Sequence, residues 1–211
     1  MKAVLPNLIT SMRFLMALVF FVLMECYHYA PERPTDGGML DWAFAIFVFT
    51  ALTDILDGYL ARRWNKESVF GRILDPLVDK VLVIGAFLYL ASDHFVVFDH
   101  GVARNVTGVA GWMVVLILIR ELLVTGLRGF SEAKGLSFKA TIPGKIKMFV
   151  QCFAAGTVMV VTGHHDGLPA WADLFRSTWL WAMVVVTVFS MVVYLERARS
   201  LLAQGIGGDK K

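Results

Sequence analysis

Long apolar runs alternate with short polar connections along the whole chain. A helix that crosses the core of a bilayer needs about 20 mostly apolar residues. Six segments have this character, and they lie at about 4–26, 39–61, 72–92, 106–128, 145–163 and 178–197. The pattern therefore predicts an all-α, polytopic membrane protein with six transmembrane helices.

The composition of the chain agrees with this fold class. Hydrophobic residues make up 57% of the chain, and its mean hydropathy of +0.65 is too high for an ordinary soluble domain. The formal net charge is only +3, which does not indicate nucleic-acid binding. Cys26 and Cys152 both lie in apolar runs, where we expect small apolar residues rather than a disulfide or a metal site.

The lysines and arginines divide unequally between the two sides of the predicted membrane. The connections near 28–38, 93–105 and 164–177 carry one each, namely Arg33, Arg104 and Arg176. The other side carries Lys2, Arg13, Arg62, Arg63, Lys66, Arg72, Arg128, Lys134, Lys139, Lys145, Lys147, Arg197, Arg199, Lys210 and Lys211. By the positive-inside rule, both termini are predicted to lie in the cytoplasm.

The start of the chain resembles a signal peptide, because Phe14–Met24 is a short apolar run behind Lys2 and Arg13. Bulky residues follow this run where a cleavage site would need small ones. We therefore expect a retained first span that begins near Val4. We also expect a single membrane domain over 1–203 and a flexible cytoplasmic tail over 204–211.

Acidic side chains stand at the adjoining ends of the second and third predicted spans. Asp54 and Asp57 are three residues apart and Asp75 and Asp79 are four apart, so each pair shares one face of a helix. A short connection makes these spans antiparallel neighbours and brings the four carboxylates together. Oxygen ligands without His or Cys suit a hard cation, so we expect two Mg²⁺ or Mn²⁺ ions here. Two such ions can clamp a phosphate or a diphosphate.

Capped helix ends or a transport pathway would also account for part of this pattern. A single aspartate at a helix end is most often a solvated cap or the partner of a cation. A cation or proton transporter could use the same four carboxylates as a pathway. It would need polar residues in the opposite half of these spans, where the chain has almost none.

The carboxylates belong to a longer pattern, which reads Asp54-x2-Asp57-Gly58-x2-Ala61-Arg62-x8-Gly71-x3-Asp75-x3-Asp79. In every fixed position this pattern resembles the signature of the CDP-alcohol phosphatidyltransferase family. The resemblance implies six transmembrane helices with cytoplasmic termini. It also implies a reaction in which an acceptor hydroxyl attacks the β-phosphorus of a CDP-linked lipid and releases CMP.

The same resemblance implies roles for individual residues. The four aspartates would hold the two metal ions, and Asp79 would also be the base that takes the acceptor proton. The residues implied in binding the CDP-lipid are Asn7, Gly58, Ala61, Arg62 and Gly71. The family implies a homodimer, and with the charge asymmetry it implies a multi-pass protein of the cell (inner) membrane whose active site faces the cytoplasm.

Basic residues on the same side indicate an anionic acceptor. Arg120 and Arg128 end the fourth span, and Lys145 and Lys147 open the fifth, so this set is predicted to bind the acceptor phosphate. The motifs that carry a second resemblance are Pro6-Asn7-Leu8-Ile9-Thr10-x2-Arg13, Arg120-Glu121-x6-Arg128 and Gly144-Lys145-x-Lys147-x3-Gln151. They resemble the bacterial phosphatidylglycerophosphate synthase branch, which uses CDP-diacylglycerol and sn-glycerol 3-phosphate.

Two positions depart from that branch, since Met148 replaces an expected small hydroxyl residue and Gly129 an expected acidic one. The inositol-phosphate branch is also basic in this region and remains the alternative acceptor class. The five histidines fall in the predicted extracytoplasmic part and receive no catalytic role; they are His28, His94, His100, His164 and His165.

Overall fold

The computed structural model describes residues 4–30, 37–64, 69–133, 142–164 and 167–207. Within these ranges the described side chains exclude those at 4–10, 37, 54–64, 69–76, 79, 99, 132, 142, 143, 145 and 200–207. Most of the described residues lie in α-helices. The helices are α1 (Val4–Cys26), α2 (Gly37–Trp64), α3 (Val69–Leu90), α4 (Gly111–Ala133), α5 (Ile142–Gly163) and α6 (Trp171–Gly207).

Each helix overlaps one of the segments that the apolar pattern predicts, so the helical fold class is confirmed. α4 begins at Gly111, later than the predicted start near 106, because 106–110 form a non-helical connection after the β-hairpin. α6 extends beyond the predicted segment at both ends and continues through Gly207, into the residues predicted as a tail.

Two segments among the described residues are long and apolar enough to cross a membrane. They are Ile146–Gly163 in α5 and Trp171–Arg199 in α6. Shorter apolar stretches of 10–17 residues occupy Gly38–Thr53 in α2 and Lys80–Leu90 in α3.

α4 and α6 run parallel to one another. The ring of Trp112, near the start of α4, lies beside that of Trp181 in the first third of α6, with centroids 6.1 Å apart. Val124 and Tyr194 share a small buried cluster further along. The two helices therefore carry their C-terminal halves to the same end of the bundle, where the charged residues of α4 lie.

α1 packs against α3 through a close contact at Gly85. A Cβ atom at this position would overlap the ring of Phe21 on α1. That ring also lies edge-on to Phe20 and stacks on Tyr89, with centroid distances of 5.3 and 6.0 Å. The missing side chain of Gly85 is what permits this aromatic packing.

The core runs through the middle of the bundle between these helices. Its largest fully buried apolar side chains are Phe20, Met24, Leu40, Phe47, Phe87, Leu90, Phe95, Ile117, Met159, Met183 and Tyr194. Many exposed positions of the helices are also large and apolar, as expected for surfaces that face lipid.

A β-hairpin joins α3 to α4, and nothing in the sequence pattern predicted it. A 3₁₀ turn at Asp93–Phe95 leads into β1 (Val96–Asp99), which pairs with β2 (Val102–Asn105) in antiparallel register. His100 and Gly101 form the turn with φ values of 47° and 80°. Two positive φ values in a two-residue loop match the twist of the flanking strands.

Two side chains at and just after the end of the hairpin satisfy the C-terminal end of α3. Thr107 Oγ1 donates a hydrogen bond of 2.7 Å to the carbonyl of Leu90, and Asn105 Nδ2 donates to the same carbonyl at 3.1 Å. Asn105 Oδ1 accepts from the Thr107 amide at 2.8 Å. The carbonyl that ends α3 would otherwise have no helical partner, so these bonds anchor the hairpin to the helix.

Candidate active site

The predicted carboxylate positions lie at the adjoining ends of two consecutive helices. Asp54 and Asp57 are in the C-terminal part of α2, and Asp75 and Asp79 are in the N-terminal half of α3. α2 and α3 contact each other, and only 65–68 separate them along the chain. The backbone therefore agrees with the expectation that the four positions share one end of the bundle.

Several predicted site residues have side chains outside the part of the chain that the structure describes. They are the four aspartates together with Asn7, Gly58, Ala61, Arg62, Gly71 and Lys145. Their helical backbone is described, but their metal-binding, CDP-binding and acceptor-binding roles stay predictions.

Lys80, which follows Asp79, links the carboxylate-bearing helix to α4. Its Nζ donates a hydrogen bond of 2.6 Å to Thr125 Oγ1. The Thr125 hydroxyl donates in turn to the backbone carbonyl of Glu121 at 2.7 Å. The part of α3 that carries Asp79 therefore lies at the level of Glu121 on α4. Lys80 had no role among the predictions from sequence.

Glu121 pairs with two buried cations, one from its own helix and one from α5. Arg120 Nη1 lies 2.9 Å from Glu121 Oε1, and Lys147 Nζ on α5 binds the same oxygen. The exposed fractions of Arg120, Glu121 and Lys147 are 4%, 7% and 6%. Charges so buried persist where partners compensate them. Two cations and one carboxylate leave this group, the Glu121 cluster, with one net positive charge.

Arg120 also reaches α6. Its Nη2 donates a hydrogen bond of 2.6 Å to Ser190 Oγ, and its Cζ lies 5.2 Å from the centre of the Tyr194 ring. This distance permits a cation–π contact, which favours the charged guanidinium in a buried place. Arg120 Nε is buried and makes no hydrogen bond to any described group. The guanidinium is thus held from two sides, and its Nε–H stays available to donate.

An uncharged polar contact between α5 and α6 lies one helical turn beyond Lys147. Gln151 Nε2 on α5 donates a hydrogen bond of 3.2 Å to Thr187 Oγ1 on α6, and both residues are buried. α5 and α6 therefore meet through polar groups as well as apolar ones. Because it carries no charge, this pair offers a comparison for the Glu121 cluster.

The structure brings together two of the four residues predicted to bind the acceptor phosphate. Arg120 and Lys147 meet at Glu121, whereas Arg128 is exposed two turns further along α4. The pairing with Glu121 was not predicted, although Glu121 belongs to the quoted Arg120 motif. The sequence contained one indication of this pairing: Arg120 and Lys147 are charged residues in apolar runs, and buried charges of this kind need a counter-ion.

The described histidines lie towards the other end of the bundle. His28 and His94 have ring centroids 4.4 Å apart beside the hairpin, and His94 Nδ1 is 2.9 Å from Ser92 Oγ. His164 Nε2, after the end of α5, is 3.5 Å from a carboxylate oxygen of Asp41. These positions are far along the helices from Glu121.

A family model described as CDP-alcohol phosphatidyltransferase matches residues 3–193. The chain belongs to the CDP-alcohol phosphatidyltransferase family, which confirms the resemblance seen in its carboxylate signature. This membership favours an enzyme over a transporter as the reason for the four aspartates.

The chain is also similar to relatives that each bear the name CDP-diacylglycerol–glycerol-3-phosphate 3-phosphatidyltransferase. The relative from Cereibacter sphaeroides is 35% identical over 170 residues, which cover 78% of this chain and 67% of the relative. The Bacillus subtilis relative is 33% identical over 204 residues, with 92% and 94% covered. The Rickettsia bellii relative is 29% identical over 195 residues, with 92% and 95% covered.

Proposed function

We propose that this protein transfers the phosphatidyl group from CDP-diacylglycerol to sn-glycerol 3-phosphate, giving phosphatidylglycerophosphate and CMP. The observation that carries the proposal is the meeting of Arg120 and Lys147 beside the carboxylate-bearing helix α3. A phosphomonoester acceptor needs such cations, whereas a neutral alcohol does not. The names of the relatives, which specify glycerol 3-phosphate as the acceptor, support the same acceptor.

The donor set of the carboxylate positions suits two divalent cations, Mg²⁺ or Mn²⁺. Asp54, Asp57, Asp75 and Asp79 supply oxygen ligands from two packed helices, the ligands that hard cations prefer. When bound, the ions would neutralise the diphosphate and favour departure of CMP.

The side chains divide the remaining work between the two substrates. Asp79 would accept the proton of the acceptor hydroxyl while the new oxygen–phosphorus bond forms and the bond to CMP breaks. Arg62 would bind the CDP-lipid phosphates, and the small residues Gly58, Ala61 and Gly71, with Asn7, would leave room for the nucleotide. Arg120, Arg128, Lys145 and Lys147 would bind the acceptor phosphate.

We further propose a multi-pass arrangement of one domain, 1–203, in the inner membrane, with six spans and both termini in the cytoplasm. The excess of Lys and Arg at the carboxylate end supports this orientation. The active site would then face the cytoplasm, where a phosphorylated acceptor is available. A homodimer, which the family resemblance implies, belongs to the same proposal.

The test is release of CMP by the purified protein supplied with Mg²⁺, CDP-diacylglycerol and glycerol 3-phosphate. Omission of either substrate or chelation of the metal should abolish the release. Asp79→Asn should be inactive, and Asp93→Asn, at an exposed acid near the hairpin, should retain full activity. Absence of CMP release with every alcohol acceptor would refute the proposal.

An acceptor panel decides between branches of the family. Glycerol 3-phosphate should be used at least about tenfold better than inositol phosphate, inositol or serine, which corresponds to about 1.4 kcal/mol of discrimination. A preference for inositol phosphate would support the same reaction class but would contradict glycerol 3-phosphate as the acceptor.

A further inference from the structure

We propose that Glu121 is a positioning residue for the acceptor site, and that it holds Arg120 and Lys147 together so that both cations meet one phosphate. This inference rests on the proposed function, since it concerns how that reaction binds its acceptor. Glu121 itself would touch no substrate.

The arrangement of charges supports this role. Arg120 and Lys147 come from different helices, and both bind the same oxygen of Glu121. Without a carboxylate between them, two buried cations close enough to bind the same oxygen would repel one another strongly. Glu121 therefore balances the two cations before an acceptor phosphate arrives to share them.

The position of Arg120 adds a second, independent observation. Its guanidinium is fixed by Ser190 Oγ and by the face of the Tyr194 ring, yet its buried Nε has no hydrogen-bond partner among the described residues. Buried donors are normally satisfied, so this N–H is available to a bound ligand. The surplus positive charge of the Glu121 cluster indicates that this ligand is an anion.

The Glu121 cluster lies close to the helix that carries the predicted catalytic base. Thr125 bonds both to Lys80, next to Asp79, and to the Glu121 carbonyl. An acceptor whose phosphate is held at Arg120 and Lys147 would therefore lie beside the part of α3 that carries Asp79, its predicted base. Stability alone is a weak reason for such a cluster, because apolar replacements of buried ion pairs are often as stable.

Glu121→Gln tests the proposal in the full-length protein. The KM for glycerol 3-phosphate should rise at least about tenfold, the scale of losing one charge-assisted hydrogen bond, while the KM for CDP-diacylglycerol changes less than about twofold. Glu121→Asp keeps the charge but shortens its reach, so its acceptor KM should fall between those of Gln and the unchanged protein. If the Gln variant fails to fold, the Asp variant carries the same test.

Thr187→Val is the matched control. It breaks the buried Gln151–Thr187 contact, one helical turn from Lys147, without removing charge, so it should lower the melting temperature without a selective rise in acceptor KM. Equal rises of both KM values in a folded Glu121 variant, or no change in either, would overturn the positioning role.

A binding measurement separates this inference from the proposed function. Glycerol 3-phosphate alone should raise the melting temperature of the unchanged protein, and the increase should shrink in Glu121→Gln. An unchanged protein that gives neither heat protection nor turnover with glycerol 3-phosphate would contradict the proposed function itself. Turnover with the same acceptor KM in both proteins would contradict only the role of Glu121.

Discussion

Lys80 shows how one side chain can connect two parts of a site. It follows an acidic position on α3, and its ammonium group reaches across to a hydroxyl on α4. A cation beside four predicted carboxylates also reduces their mutual repulsion. The short connection from Lys80 through Thr125 to Glu121 is the described link between the carboxylate-bearing helix and the cation-bearing helix.

Lys80→Met and Thr125→Val should each lower the free energy of unfolding by about 1 kcal/mol, because each removes the Lys80–Thr125 hydrogen bond; Thr125→Val also removes the bond of the Thr125 hydroxyl to the Glu121 carbonyl. The double variant should lose little more than either single one, since the partners share one interaction. Denaturant unfolding in detergent measures the three values. Losses that simply add would show that the two side chains act independently.

At the scale of helices, close approach depends on residues without side chains. Gly85 lets α3 lie against the Phe21 ring of α1, and Gly156 on α5 lies in the same way against Phe44 of α2, where an added Cβ would come within 2.9 Å of the ring. Such small-residue contacts let helices pack where lipid supplies little hydrophobic driving force. The helices are therefore oriented by shape as much as by polar bonds.

Gly85→Ala should destabilise the bundle by about 1–3 kcal/mol, because the new methyl group forces the Phe21 ring out of its contacts with Phe20 and Tyr89. Gly126→Ala in α4 is the control, since nothing lies within 4 Å of a Cβ added there. It should be neutral or stabilise by up to about 1 kcal/mol. Thermal unfolding compares the two variants, and similar destabilisation of both would contradict the steric origin of the effect.

For the whole molecule, the proposed orientation assigns each end of the bundle to one side of the membrane. Cys26 is exposed at the end of α1, near the hairpin, and Cys152 is half-buried within α5. Gly129 is exposed near the other end, with open space around it. These positions permit labelling from opposite sides.

A membrane-impermeant thiol reagent should label Cys26 in intact cells, and Cys26→Ala should abolish that labelling. In the Cys26→Ala background, Gly129→Cys should react only after the membrane is opened, because the positive-inside rule assigns that end to the cytoplasm. The reverse pattern would invert the proposed topology. Mass-tag shifts on gels measure both reactions.

Much of the fold was predictable from the chain, because apolar runs of helical length are a strong signal. The hairpin at 96–105 was not, since four-residue strands between two helices leave only a short and weak alternation. In the site, spacing along one helix was enough to predict that Asp54 and Asp57 share a face. Spacing does not reveal that Lys147 shares a carboxylate with Arg120, because that contact depends on how α4, α5 and α6 pack.

The Glu121 cluster also has a consequence for how the chain is made. A ribosome that has released α4 has produced Arg120 and Glu121, but Lys147 and Ser190 emerge only with the last two helices. Until then Arg120 and Glu121 can pair only with one another, and a helix whose charges lack their remaining partners is costly to leave in lipid. Stable insertion of α4 is therefore coupled to completion of the protein, so a chain truncated before α6 should be an early target for membrane quality control.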